Sequence, residues 1–269
     1  MRQYPNLIDG NEIEFGRDPN RVGITRMFDD FLGGTNNTQI SAQFNTFGSV
    51  SGGAWNIAQS YDTLNPTGFD DFGTVQAETN TGGTARAVMH LAQLMKSSPS
   101  DGDRWMWEVR VKPSLATGNG FWSMSIVRTD SGDGYFNLDG APITNNLPRM
   151  SIFAKHDEAK WQSHKADNTA SAAGTTAATS IDFTDDAYVK IASLVEFQSA
   201  GGGRYAVKFY VDGVEAFSDR LTVGTGSPFG KCFLYNNGTT TAQTSTYDWS
   251  LIQFTRTDAV DYLDIDSIA

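Results

Sequence analysis

Short runs of β-forming residues, separated by glycine-containing turn clusters, recur along the chain from Phe28 onward. The clusters include Gly82-Gly83, Asp133-Gly134 and Asp212-Gly213. Such pairs are typical of tight turns between antiparallel strands. Hydrophobic residues make up 39% of the chain and charged residues 19%, with 27 glycines, which suits a turn-rich β protein and excludes a helical bundle. The sequence therefore predicts an all-β sandwich of two antiparallel sheets.

Alternation of apolar and polar residues identifies individual strands. Over residues 104–112 the apolar side chains share one face and most charged side chains share the other. Residues 188–197 and 204–212 alternate in the same way, and Asp212-Gly213 supplies the tight turn of a hairpin. Residues 84–96 fit either a helix or a strand, and we favour a strand because the neighbouring segments are all β-type.

The chain divides into three predicted regions. Residues 1–27 are polar, interrupted by glycine and proline, and form an extended N-terminal docking arm; residues 28–256 form the sandwich; residues 257–269 form an acidic tail. The arm's apolar residues follow no lasting period, which indicates an extended segment, and its docking role is implied only by the family resemblance. The candidate docking residues are Tyr4, Leu7, Ile8, Ile13 and Phe15.

Charge and cysteine content exclude several classes of partner. The net charge is −11, so a nucleic acid would meet a repulsive field. The only cysteine, Cys232, allows neither an internal disulfide nor a zinc cluster. We find no signal-peptide pattern and no run of 18 apolar residues, so we predict no membrane partner and synthesis in a cytoplasm.

A search for catalytic and metal-binding motifs finds no strong match. His90, His156 and His164 lack the spacing of a zinc site, and each is interpreted as an ordinary strand or surface histidine. We therefore predict no metal, no cofactor and no catalytic residue. One alternative stays open: Glu12 and Glu14 have the two-residue spacing of paired carboxylates in jelly-roll glycoside hydrolases, so a polysaccharide hydrolase or lyase using them is a minor hypothesis.

Six tryptophans raise the possibility of a sugar-stacking surface. Trp107 and Trp249 belong to apolar strand faces, which leaves Trp55, Trp122 and Trp161 as candidate glycan-stacking residues. A place in the core is the alternative for each, because the inner faces of a sandwich consume large apolar side chains.

Four segments, in order along the chain, carry a resemblance to a known family. They are Phe28-Asp29-Asp30-Phe31-Leu32-Gly33-Gly34, Trp107-Glu108-Val109-Arg110-Val111-Lys112, Lys208-Phe209-Tyr210-Val211-Asp212-Gly213-Val214 and Asp248-Trp249-Ser250-Leu251-Ile252-Gln253-Phe254. Together they resemble the concanavalin A-like (laminin-G-like) jelly roll. More narrowly, the opening and the strand series are similar to jelly-roll proteins of tailed-bacteriophage virions. Neither the acidic strand of jelly-roll glucanases nor the Arg/Gln/Tyr motifs of alginate lyases is found in the core.

The resemblance implies a non-enzymatic structural protein of a bacteriophage virion. We expect a capsid decoration or cement subunit, made in the host cytoplasm, that attaches through its N-terminal arm to the major capsid protein or another virion protein. A homo-oligomer, in particular a trimer, is implied as well. The alternative is a carbohydrate-binding jelly-roll module of a phage head or tail fibre, with a host surface glycan as its partner.

Overall fold

The computed structural model describes residues 11–17, 23–29, 75–78, 86–92, 101–115, 120–127, 149–167, 174–198, 204–222, 231–237 and 244–256. These segments form fourteen β-strands in two antiparallel sheets. The described residues include no helix that could span a membrane. The predicted all-β sandwich is confirmed.

The larger sheet has eight strands. They are β1 (Asn11–Arg17), β2 (Gly23–Asp29), β3 (Val75–Glu78), β5 (Arg104–Ser114), β10 (Val189–Gln198), β11 (Arg204–Val211), β12 (Val214–Thr222) and β14 (Thr244–Arg256). Their spatial order is β1-β2-β14-β5-β10-β11-β12, and β3 also pairs with β14. The predicted hairpin is β11–β12, and Asp212 and Gly213 adopt the positive φ angles that its tight turn requires.

The smaller sheet has six strands. They are β4 (Arg86–Ala92), β6 (Phe121–Val127), β7 (Arg149–Lys155), β8 (Lys160–Ala166), β9 (Thr175–Asp182) and β13 (Lys231–Asn237). Their spatial order is β4-β13-β6-β7-β8-β9. The ambiguous segment 84–96 thus contains a strand, as we favoured.

The core lies between the two sheets and is built by alternation. Strand β5 buries every second residue, including Trp107, Val109 and Val111, because its other residues face outward. From the smaller sheet, Trp122 reaches across the core and its Nε1 donates to the hydroxyl of Tyr247, 2.9 Å away. That bond gives the buried indole N–H a partner and ties the two sheets together.

The N-terminal region is only partly described. Ile13 and Phe15 lie in β1, whose backbone pairs with β2 at one edge of the larger sheet, so this part of the expected arm is a strand of the sandwich. Tyr4, Leu7 and Ile8, and the predicted tail 257–269, lie outside the described residues. The docking role of the arm stays a prediction.

Candidate functional site

The outer face of the six-stranded sheet carries a row of polar residues. Residues that pair directly across antiparallel strands lie on the same face of a sheet. This register joins Ser125, Ser151, His164 and Thr176 in one row across β6 to β9. Their chain neighbours Met124 and Ile152 are buried in the core, so the polar row faces away from it.

The serines of this face are buried and hydrogen-bonded. Ser125 and Ser151 are 2% and 0% exposed. Ser151 Oγ donates to Ser125 Oγ at 2.7 Å, and Ser123 Oγ lies 3.3 Å from Ser125 Oγ. Hydroxyls removed from water need partners, and this chain of three provides them. These serines therefore form a buried polar network, in which electrostatic interactions are stronger than in water.

A second hydrogen-bonded chain joins β7, β8 and β9, in which Arg149 and His164 are buried and Thr176 is exposed. Arg149 Nε donates to His164 Nε2 at 3.1 Å. Because a guanidinium can only donate, His164 Nδ1 carries the ring proton and donates to Thr176 Oγ1, 3.1 Å away. Burial and the charge of Arg149 lower the pKa of His164 to about 4. His164 is therefore neutral at pH 7 and holds Arg149 in place.

Strand register extends this face onto β13 and β4. Tyr235 pairs with Ser123 on one side and with Val88 on the other, so it occupies an outer-face position. Arg86 and His90 flank Val88 on the same face of β4 and are the diagonal neighbours of Tyr235. Diagonal positions are about 7–8 Å apart, within reach of long side chains. The register thus places residues 86, 90 and 235 at neighbouring backbone positions on this face.

The strands of the six-stranded sheet are strongly basic. They carry a single acidic residue, Asp182. The basic residues are Arg86, Arg149, Lys155, Lys160, Lys165 and Lys231. Lys165 points to the other side, where it pairs with Asp219 of β12, and Lys160 pairs with Asp182. Positions 86, 149, 155 and 231 therefore supply the excess positive charge of this face, which favours an anionic ligand in a protein with a net charge of −11. Within the described segments no group of three His, Cys, Asp or Glu residues could hold a metal ion.

Two of the candidate stacking tryptophans, Trp122 and Trp161, do not belong to this face. Trp122 and Trp161 are 0% and 1% exposed, and they pack edge to face with ring centroids 5.9 Å apart. Their place is the core, the alternative that the sequence had offered. Trp55 lies outside the described residues. Glu12 and Glu14 lie in β1 of the other sheet.

Sequence reasoning missed the residues that the outer face assembles. His164 was interpreted as an ordinary strand histidine, and neither Arg149 nor Tyr235 was singled out. The available signal was alternation: Gln162 and His164 are two residues apart on β8, and Trp161, directly before Gln162, occupies the opposite face and is buried in the core. The partners on β4 and β13 are distant in the chain, so no local pattern links them.

Comparison with known proteins identifies the fold but does not identify a family. No protein-family model and no curated protein sequence matches the chain. Among solved structures, a double mutant of the alginate lyase Aly36B in complex with alginate tetrasaccharide is similar, with 12% identity over 88% of this chain and 98% of the lyase and a TM-score of 0.52. A protein of unknown function from Shewanella oneidensis MR-1 is similar at 15% identity over 88% of this chain and 89% of that protein, with a TM-score of 0.50. The chain therefore has the concanavalin A-like jelly-roll fold.

This comparison corrects the functional prediction. The expectation of a non-enzymatic capsid decoration or cement protein of a bacteriophage virion is wrong, because the similar structure of named activity is a polysaccharide lyase and neither similar structure is named as a virion protein. The expectation that the chain is no enzyme is overturned by the same finding. The sequence motifs of the jelly roll report the fold, and they were assigned to the wrong functional class.

Proposed function

We propose that this protein is a polysaccharide lyase that cleaves a uronate-containing polysaccharide on the outer face of the six-stranded sheet. The observation that carries the proposal is the positive charge of that face, together with the outer-face position of Tyr235 beside Arg86 and His90.

The distribution of charge supports an acidic substrate. A net charge of −11 repels a polyanion at long range. The repulsion is not uniform, because the strands of the six-stranded sheet are basic whereas those of the eight-stranded sheet carry nearly equal numbers of basic and acidic residues. Chain segments rich in uronate would therefore bind to the smaller sheet.

The residue types suit β-elimination. In this reaction a base removes the proton on the carbon next to the uronate carboxyl group, the electron pair forms a carbon–carbon double bond, and the glycosidic carbon–oxygen bond breaks. The leaving oxygen then takes a proton. A guanidinium at position 86 neutralises the carboxylate and stabilises the charge that develops on it. Tyr235 and His90 supply the groups that remove and return the proton.

The shared fold adds support of a different kind. The similar alginate lyase was solved with alginate tetrasaccharide bound, so that protein handles a polyuronate on the same sandwich architecture. The identity of 12% carries no residue roles across, and the assignment of Arg86, His90 and Tyr235 rests on strand register in this chain alone.

The direct test is formation of unsaturated product. The full chain is incubated with alginate and with polyglucuronate, and the ultraviolet absorbance of the new double bond is followed. Tyr235→Phe should lower the rate about 100-fold or more, as loss of a general acid or base does. The matched control is Tyr210→Phe, which removes a hydroxyl from β11 of the other sheet and should leave the rate unchanged.

Two results would contradict the proposal. One is the absence of unsaturated product with both polyuronates, including the case in which they bind without being cleaved. The other is an equal loss of rate in Tyr235→Phe and Tyr210→Phe.

A further inference from the structure

A cleft opens at the side of the sandwich, where β8 and β9 of the smaller sheet meet β12 of the larger one. Its volume is about 440 Å³, within the usual range of small-molecule sites. The lining residues that matter here are Lys165, Asp167, Gly174, Thr175, Phe217 and Asp219. Lys165 and Thr175 are the chain neighbours of His164 and Thr176, so their side chains point away from the outer face and the cleft lies on the other side of β8 and β9.

One ammonium group and two carboxylates form the polar part of the cleft. Lys165 Nζ lies 2.9 Å from Asp219 and 3.4 Å from Asp167. Because Asp219 belongs to β12, this ion pair bridges the two sheets at their edges. Partial burial disfavours the charged ammonium, but the hydrogen bond and charge of Asp219 and Asp167 outweigh it and raise the pKa of Lys165. The ammonium therefore stays charged.

Both carboxylates are held in place by backbone groups. Asp219 accepts a hydrogen bond from the N–H of Arg220 at 2.7 Å, and Asp167 accepts one from the N–H of Thr222 at 3.3 Å. Carboxylates fixed in this way lose little freedom when a ligand binds. Each retains acceptor capacity, because a carboxylate offers about four lone-pair sites.

A phenylalanine ring and a glycine also line the cleft. Phe217 lines the cleft, and its ring is stacked parallel to that of Phe209 with centroids 6.5 Å apart, which sets its orientation. Gly174 also lines the cleft with a φ of +79°, and a Cβ there would lie 2.4 Å from the backbone oxygen of Lys165. No side chain can occupy that position without displacing β8.

We propose that this cleft is a second ligand site, which binds a neutral saccharide. Sugar rings present an apolar face and a rim of hydroxyl groups, and the cleft offers an aromatic wall with hydrogen-bond acceptors and a donor beside it. Two carboxylates against one ammonium leave the lining with a net negative charge, which disfavours uronates. The specificity is therefore the opposite of that proposed for the outer face, and this site does not depend on the lyase activity.

The proposal is tested by titrating the ¹⁵N-labelled full chain with cellobiose, maltose and lactose, and with a diuronate prepared from alginate. At least one neutral disaccharide should shift the amide signals of Lys165, Thr175 and Asp219, whereas the diuronate should leave them unchanged. Asp219→Asn should weaken that binding about tenfold, since it replaces a charged carboxylate acceptor with a neutral amide. Asp167→Asn serves as a second variant if the first does not fold.

The matched control is Lys208→Met. It removes an ammonium paired with Glu215 at 2.9 Å on the same β11–β12 hairpin, but outside the cleft lining, so saccharide binding should be unchanged. Tyr235→Phe should also bind normally, which separates failure of this site from failure of the lyase proposal. Binding of none of the three disaccharides, stronger binding of the diuronate at these amides, or unchanged affinity in a folded Asp219→Asn or Asp167→Asn protein would overturn the proposal.

Discussion

The outer faces of the two sheets carry polar residues at the same alternating spacing, yet they differ in what surrounds those residues. On the larger sheet, Arg104 pairs with Glu196 at partly exposed positions. On the smaller sheet, Arg149 and His164 bond to each other with both side chains fully buried. Solvated ion pairs contribute little stability, whereas desolvated hydrogen bonds are costly to break. These polar residues are therefore solvated on one face, and on the other they form a rigid polar arrangement fixed by a buried hydrogen bond.

The largest expected difference concerns two glycines with nearly the same φ angle. Gly174 precedes β9 and Gly213 lies in the β11–β12 turn, with φ of +79° and +81°. A Cβ at Gly174 would lie 2.5 Å from His164 Cε1, whereas nothing lies within 4 Å of one at Gly213. Gly174→Ala should lower the free energy of unfolding by about 2–5 kcal/mol and Gly213→Ala by about 1–2 kcal/mol, as measured by urea denaturation. Equal losses would show that the φ angle alone decides the cost.

The buried histidine is the next test. His164→Ala removes the acceptor of Arg149 Nε and leaves a cavity, so the free energy of unfolding should fall by about 2–4 kcal/mol. His156→Ala is the control. The imidazole of His156 is partly exposed and forms a hydrogen bond with its chain neighbour Asp157. Thermal and urea denaturation of both variants should separate them clearly, and a loss as small in His164→Ala as in His156→Ala would contradict the rigid polar arrangement.

The same histidine predicts a dependence of stability on pH. Its pKa is lowered to about 4 in the folded protein from a usual value of 6.5, so between these values the unfolded chain binds more protons. Its contribution to stability is complete above about pH 6.5 and is lost as the pH falls towards 4, with a slope of up to about 1.4 kcal/mol per pH unit. His164→Gln should flatten this part of the urea-denaturation profile; an unchanged slope would assign it to other groups.

The smallest effect is expected on the larger sheet. Glu196→Gln removes the charge that pairs with Arg104, both being partly exposed. The free energy of unfolding should change by less than about 1 kcal/mol, and added salt should make that change smaller still. A loss comparable with that of His164→Ala would remove the distinction between the two faces.

The sequence predicted more of the fold than of the candidate site. Alternation predicted β5 and the β11–β12 hairpin close to their observed bounds, because side-chain direction along a strand has a period of two. It did not predict the outer face of the smaller sheet, since β13 pairs there with β4, which lies far away in the chain. Nor could it decide whether Trp122 and Trp161 face a sugar or the core, because both positions accept an indole.

The sequence by itself determined the class of architecture: short alternating strands between glycine turns bury one face each, and two sheets packed face to face satisfy that pattern. Only the tertiary structure decided which polar residues meet. Placing β13 between β4 and β6 puts position 235 next to positions 86 and 90, and pairing β8 with β7 and β9 sets His164 between Arg149 and Thr176. The physical reason is that strand order and desolvation are properties of the whole packed sandwich, which no local periodicity encodes.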